Sequence, residues 1–177
     1  MMAEFLYFDP DVHIDAFRQM YIEWLSGQMD ELKEGYGVDF LSVSGRKVEE
    51  IVDASLDRYS SLKPPNGVFL ILEMDGSVAG MVALMKLSEI RGYINLMYNR
   101  TEYRGKGLGK QLLQKLIEEG RKIGVTCFQL RTPVFSHAAH HIYKSAGFKE
   151  LEEYPESLMP KQSSVLQPYS IYMEKKE

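Results

Sequence analysis

Apolar side chains at Ile14, Phe17, Tyr21, Trp24 and Leu25 keep the three-and-four spacing of a helix with one buried face, with Asp11 placed to cap its start. A second helical stripe runs from Arg46 to Leu62 through Val48, Ile51, Val52, Ser55, Leu56, Tyr59 and Leu62, and Pro64-Pro65-Asn66-Gly67 stops it. The period then changes. Glu4–Phe8, Val68–Met74, Val78–Leu87, Arg91–Asn99, Thr126–Arg131 and Ser163–Met173 read as strands rich in β-branched and aromatic residues. Asp75-Gly76 between two of them suits a two-residue hairpin, since both positions want positive φ. Leu112, Leu113, Leu116 and Ile117 mark a helix over 109–123, and another begins near His137. These runs show no internal repeat, low-complexity tract or interdomain linker, so one domain across 1–177 is expected.

Between the strand ending at Asn99 and the helix over 109–123 lies Arg104-Gly105-Lys106-Gly107-Leu108-Gly109, followed by Lys110. Glycines let peptide N–H groups approach a ligand, and the first amides of a helix are unpaired and partly positive, so the segment reads as a phosphate site. Arg104, Lys106 and Lys110 add cationic charge. The nucleotide-triphosphate loop fails here, because Gln111 follows Gly109-Lys110 where a hydroxyl should reach magnesium. The dinucleotide fingerprint fails too, since its third glycine would fall on Lys110.

What remains, Arg-x-x-Gly-x-Gly between strand and helix, resembles the pyrophosphate loop of the GNAT acetyltransferase superfamily. A second segment, Ala139-His140-His141-Ile142-Tyr143-Lys144-Ser145-Ala146-Gly147-Phe148, is similar to that superfamily's Ala-x-x-Leu-Tyr-x-x-x-Gly-Phe. The resemblance covers residues 68–150 and implies an α/β (α+β) acyl-CoA-binding fold, with a mixed, mostly antiparallel central sheet flanked by helices on both faces. It implies an acetyl-CoA-dependent N-acetyltransferase in which a small-molecule or peptide amine attacks the thioester directly. Acetyl-CoA is then the co-substrate, with no metal. Whether the acyl group is acetyl or larger stays open, as does a homodimer.

By position, the resemblance places Met97, Tyr98 and Asn99 along the acetyl and pantetheine through their backbone, Asn99 being unusual where a small apolar residue is common. It places Arg104, Gly105, Lys106, Gly107, Leu108, Gly109 and Lys110 at the diphosphate. Ser136 falls where the family often has an asparagine contacting CoA, and serine also suits the cap of the helix it precedes. Tyr143 matches the tyrosine that donates a proton or a hydrogen bond to the departing thiolate; from its neighbours alone it reads equally as a core aromatic. The glutamate that several members use as general base is matched here by Tyr93, which leaves water, Glu73 or Glu89 to take the proton. The superfamily binds its acceptor with the first helices and the loop before the last strand, here about 12–62 and Tyr154–Gln167. A non-catalytic acyl-CoA-binding sensor or interaction domain is the alternative, against which Tyr143 argues. The failed motifs disfavour a nucleotide-phosphate-binding protein.

Composition narrows the rest. An apolar fraction of 45% suffices for a substantial core. The single cysteine, Cys127, excludes an internal disulfide and reads as a small buried hydrophobe. His137, His140 and His141 share helical spacing but have no carboxylate or thiol nearby to complete a metal set. The net charge of −4 conceals a split: residues 1–60 hold 13 acidic and 5 basic side chains, and residues 61–177 hold 12 and 16. An acidic first third attracts cationic ligands, although charged helix surfaces equally serve solubility. Neither part has the basic and aromatic interleaving of a nucleic-acid surface. With no apolar run of ~18 residues and with Glu4 and Asp9 near the start, no membrane segment or signal peptide is expected, and the protein is expected to be soluble and cytoplasmic.

Overall fold

The computed structural model describes residues 2–152 and 165–177. They form two compact units, one of residues 1–7 and 62–177 and the other of residues 8–61.

The larger unit is a seven-stranded sheet flanked by helices. Its strands are β1 (Ala3–Tyr7), β2 (Gly67–Met74), β3 (Ser77–Lys86), β4 (Arg91–Asn99), β5 (Cys127–Pro133), β6 (Lys149–Glu150) and β7 (Ser170–Lys176), in the order β1-β2-β3-β4-β5-β7-β6. Every pairing is antiparallel except β4 with β5. That one parallel pair needs a crossover, which is helix α5 (Leu108–Lys122). Helix α6 (His137–Ser145) connects β5 to β6. The β2–β3 turn takes positive φ at both Asp75 (50°) and Gly76 (79°), as the dipeptide requires.

Burial of one face of α5 fastens it to the sheet. Leu112, Leu113 and Leu116 are fully buried and Ile117 is nearly so, in one cluster with Leu70, Leu72, Val82, Leu84, Ile94, Phe128 and Leu130. Each such leucine stabilises the fold by about 2 kcal/mol. The other fastening is polar. Tyr7 Oη of β1 donates to Glu119 Oε2 of α5 at 2.5 Å, while Lys122 and Lys115 approach Oε1 at 2.8 and 3.0 Å. Lys122, Tyr7 and Lys115 outweigh burial and hold the Glu119 carboxyl down at about 2. Burial, and after it the hydrogen bond to and charge of Glu119, push the Tyr7 phenol up to about 12.

The smaller unit differs in detail from the sequence pattern. Helix α1 runs from Pro10 to Tyr36, and its cap is Asp9, not Asp11: Asp9 accepts from the Asp11 N–H, and Pro10 fills the first helical position where a missing N–H costs nothing. Gly37 ends it in the left-handed conformation. The stripe over 46–62 is not one helix. It is α3 (Val48–Asp53) and α4 (Leu56–Ser60), preceded by α2 (Phe40–Ser44). Ser55 makes the break, its Oγ donating back to the Ile51 carbonyl at 2.9 Å. Phe17, Tyr21 and Tyr59 meet ring to ring with centroids 5.8 to 6.0 Å apart and form the centre of this unit.

Glu119 gives a pH test. Its folded pKa lies below the ordinary 4.5, so its contribution to stability is complete above about pH 4.5 and is lost as pH falls toward 2. Glu119→Gln is expected to lower the urea-unfolding free energy at pH 7 by on the order of 2 kcal/mol and to flatten its dependence on pH between 4.5 and 2. An unchanged slope in that window would contradict the assignment.

Candidate functional site

Strand β4 carries the irregularity around which the site is built. Its pairing with β3 runs Gly80↔Asn99, Met81↔Tyr98 and then Ala83↔Asn95, so Leu96 and Met97 together oppose the single residue Val82. This is a β-bulge. Leu96 sits at φ 56°, a left-handed conformation that a branched side chain rarely adopts. Asn95 holds it there, its side-chain Oδ1 accepting the Leu96 N–H at 2.9 Å. The bulge also redirects the strand. The parallel ladder between β4 and β5 spans only Arg91↔Cys127 to Ile94↔Leu130, after which β5 continues with β7 alone and the two strands part.

At the open end of this fork β4 delivers the chain through a 3₁₀ turn, Thr101–Tyr103, into the glycine loop. Gly107 is the N-cap of α5 at φ 73°. A side chain there would meet open space, with Gln111 Nε2 4.0 Å away, so conformation and not packing demands the glycine. The amides of Leu108, Gly109 and Lys110 open the helix and have no intrahelical acceptor. Asn99, at the end of β4, takes one of them: its hydrogen-bonding surroundings assign the carboxamide oxygen to the α5 side, where it accepts the Gly109 N–H at 3.0 Å while the nitrogen donates to the Tyr98 carbonyl at 3.0 Å. Arg104 Nε donates to the Asn99 carbonyl at 3.0 Å, and its guanidinium lies 5.4 Å over the Tyr98 ring. Lys106 Nζ lies 5.5 Å over the Tyr103 ring.

Helix α6 closes on the same place. Ile142 Cδ1 lies 3.1 Å, and Met97 Cε 3.7 Å, from where a Cβ on Gly109 would stand, so β4, α5 and α6 converge at that glycine. Tyr143, the next residue, is buried in the main core cluster and packs on Phe148 with ring centroids 5.9 Å apart. Burial, with a smaller contribution from Tyr93, pushes its phenol pKa well above the ordinary 10, so it keeps its proton at any physiological pH.

The other candidates fall as follows. Ser136 occupies the N-cap of α6, but its hydroxyl makes no capping bond; its carbonyl instead accepts the His140 N–H at 3.0 Å. His140 Nε2 lies 2.8 Å from the Pro133 carbonyl, and burial lowers its pKa. Among the described residues no three histidine, cysteine or carboxylate side chains gather as a metal site. Glu89 belongs to the turn between β3 and β4, at the end of β4 remote from the fork. Tyr93 is buried with Tyr172 against Met85 and Leu87. Cys127 is buried, and burial together with Glu174, whose Oε2 lies 3.3 Å from Sγ, outweighs the nearby Lys176 and Arg91 and raises its thiol pKa, which disfavours the thiolate that a nucleophile needs. Most of the loop Tyr154–Gln167 lies outside the described residues. No helix among the described residues is long and apolar enough to cross a membrane.

Known proteins are similar to this chain in sequence and in fold. A sequence profile of the acetyltransferase (GNAT) family matches residues 22–148. Over 100 residues the chain is 31% identical to the human N-acetylaspartate synthetase, an alignment covering 55% of this chain and 32% of that protein. The chain thus spans about a third of the length of the synthetases it matches in human, rat and mouse. An uncharacterized N-acetyltransferase of Schizosaccharomyces pombe is 27% identical over 150 residues, 83% of each chain. Among solved structures, the PaiA N-acetyltransferase of Thermoplasma acidophilum in complex with coenzyme A superposes with a TM-score of 0.65 at 17% identity, covering 100% of both chains. YncA of Salmonella typhimurium with acetyl-CoA superposes with a TM-score of 0.68 at 17% identity, covering 99% of this chain and 94% of that one. At such identities the structural likeness shows the fold alone.

Proposed function

The chain belongs to the acetyltransferase (GNAT) family, and we propose that it transfers an acetyl group from acetyl-CoA to a primary amine by direct attack of the amine on the thioester. The observation that carries this reading is the fork itself: β4 leaves β5 at the Leu96 bulge and leads straight into a helix start dressed with backbone amides and lysines. A pantetheine arm laid in the fork would use the backbone of Met97, Tyr98 and Asn99 as an added strand does. Its diphosphate would meet Gly105, Lys106, Gly107, Leu108 and Lys110 at the positive end of α5. Ser136 would stand at the start of α6 with its hydroxyl uncommitted to capping. The reaction needs no metal: the chain supplies dipoles, and the thioester supplies the leaving group. The work is that of a single domain in the cytoplasm.

Within this reading the acidity of the phenol narrows what Tyr143 can do. When the amine attacks, charge develops on the carbonyl oxygen and then on sulfur. An alkyl thiol has a pKa near ~8.5, below even an unperturbed tyrosine at ~10. Burial raises Tyr143 further, so complete proton transfer from phenol to thiolate is uphill. Tyr143 therefore serves as a fixed hydrogen-bond donor to the developing charge, and the proton that the attacking nitrogen sheds as the amide forms, carried by solvent, completes the thiol. Neutral amine is the nucleophile.

CoA release assayed against a panel of amines tests the activity. Tyr143→Phe is expected to lower kcat by roughly 10- to 1000-fold with CoA affinity nearly kept. Since the raised pKa keeps the phenol neutral as pH rises through 10, any alkaline limb of the rate profile below that pH should survive the substitution. Full activity on the best acceptor would return Tyr143 to a packing role.

Gly107→Glu is expected to weaken CoA binding by about two orders of magnitude or more, because a carboxylate would stand at the diphosphate; left-handed strain at φ 73° adds about 1 kcal/mol of destabilisation. Calorimetric titration of the folded variant checks it, and unchanged affinity would remove the loop assignment.

The acidic first 60 residues favour a cationic acceptor, whereas the synthetases named above point to an amino acid bearing carboxylates. If the acidity is functional, the best acceptor is a cationic amine whose KM rises as the Debye length falls from ~30 to ~8 Å at saturating acetyl-CoA. Aspartate as best acceptor, or a KM indifferent to salt, would assign the acidity to surface solvation.

A further inference from the structure

Gly80, in β3, has an ordinary strand conformation, so its lack of a side chain is not demanded by its backbone. Space demands it. A Cβ on Gly80 would overlap the Asn99 carboxamide and come within 2.9 Å of the Tyr98 carbonyl oxygen. Gly109, on the far side of that carboxamide, likewise has no positive φ, and a Cβ there would stand 3.5 Å from it. Asn99 thus occupies a slot between two glycines from different elements, one in β3 and one in α5. Both polar ends of its side chain are engaged, the oxygen by the Gly109 N–H and the nitrogen by the Tyr98 carbonyl. Its own carbonyl takes the Nε of Arg104, so a single residue ties β3, β4, the loop and the first turn of α5 together.

This matters because Gly107 is the N-cap and brings no side chain to the helix start. The usual residues at that position satisfy an amide of the second or third helical residue from outside, where the diphosphate should lie. Here the second helical amide is satisfied from the strand. The outer approach to the helix start is left to the backbone of the loop, and the direction of the remaining amides is set by a side chain that does not itself stand in the diphosphate's place.

We propose that Asn99, seated between Gly80 and Gly109, is a positioning residue that presets the phosphate loop by capping α5 from the strand side. The role rests on the acetyl-CoA reading above. It assigns to the Asn99 side chain a function separate from any backbone contact of that residue with pantetheine, and it makes Gly80 a member of the same device.

Asn99→Ala tests it with two readouts. Amide hydrogen exchange, followed by NMR in the ligand-free protein, should show Gly109 protected relative to Leu108 and Lys110, with that protection lost in the variant. CoA affinity, measured by calorimetry, should fall about three- to tenfold, the scale of a lost cap. The fall should be larger for CoA than for pantetheine, which has no diphosphate for the loop to hold, so that the variant's discrimination between the two narrows. Gly80→Ala should dislodge the same carboxamide, and adding it to Asn99→Ala should cost CoA affinity less than it does alone. A general packing role is distinguished by equal losses for CoA and pantetheine, and that outcome overturns the proposal, as does an unprotected Gly109 amide in the wild-type protein. A wild-type chain that binds no CoA overturns the functional reading itself and the positioning role with it, whereas intact CoA binding that Asn99→Ala leaves unchanged overturns only the latter.

Discussion

A strand inside a sheet has two hydrogen-bonding edges, and it can serve a ligand along its backbone only by giving one of them up. In this protein β4 does so at Leu96. The left-handed turn there inserts an extra residue opposite Val82, keeps the ladder to β3 and ends the ladder to β5 at Ile94. The cost of placing a leucine at positive φ is of the order of 1–2 kcal/mol, met locally by the Asn95 side chain on the Leu96 N–H and by the complete burial of the leucine itself. The rest of the site is arranged around that fork. The glycine loop begins at the tip of one prong, and α6 follows the other.

Charge is used sparingly at this place. Arg104 and Lys106 lie over tyrosine rings and Lys110 is exposed, whereas the peptide N–H groups at the start of α5 have a direction fixed by the helix. Tyr143 follows the same logic from the other side: burial suppresses its acidity and leaves a dipole of constant sign. The groups that sequence composition makes tempting as reactive centres are instead quenched. The Cys127 thiol is pushed away from thiolate by burial and by Glu174, and His140 is engaged with a backbone carbonyl.

The chain's apolar periods foretell most of the fold. Strand β4 matches its predicted bounds from Arg91 to Asn99, and the hairpin at Asp75-Gly76 follows from two residues that tolerate positive φ. At two places a side chain competing for backbone bonds defeats periodicity: Ser55 interrupts a stripe that has helical spacing throughout, and Asp9 caps α1 two residues before the aspartate that the pattern singles out. The described part of the expected strand Ser163–Met173 is shifted, since a 3₁₀ turn at Gln167–Tyr169 precedes β7, which runs from Ser170 to Lys176. Strand β6 is two exposed residues, too short to carry a pattern. The loop and Tyr143 are legible because their chemistry lies in residue type at fixed spacing. The bulge and the strand-side cap are not, since Asn95 and Asn99 look like weak strand formers until their partners in β4 and α5 are known.

Strand β7 comes from residues 170–176, yet in the sheet it lies between β5 and β6, both of which precede it in the chain. Until it arrives, the outer edge of β5 lacks this partner, and β6, which among the described residues pairs with β7 alone, has no sheet to join. One wall of the fork is therefore supported last. During synthesis the loop, α5 and α6 all leave the ribosome before the strand that braces them, so the forked half of the sheet matures only once β7 has emerged, exposed meanwhile to strand-pairing with other chains.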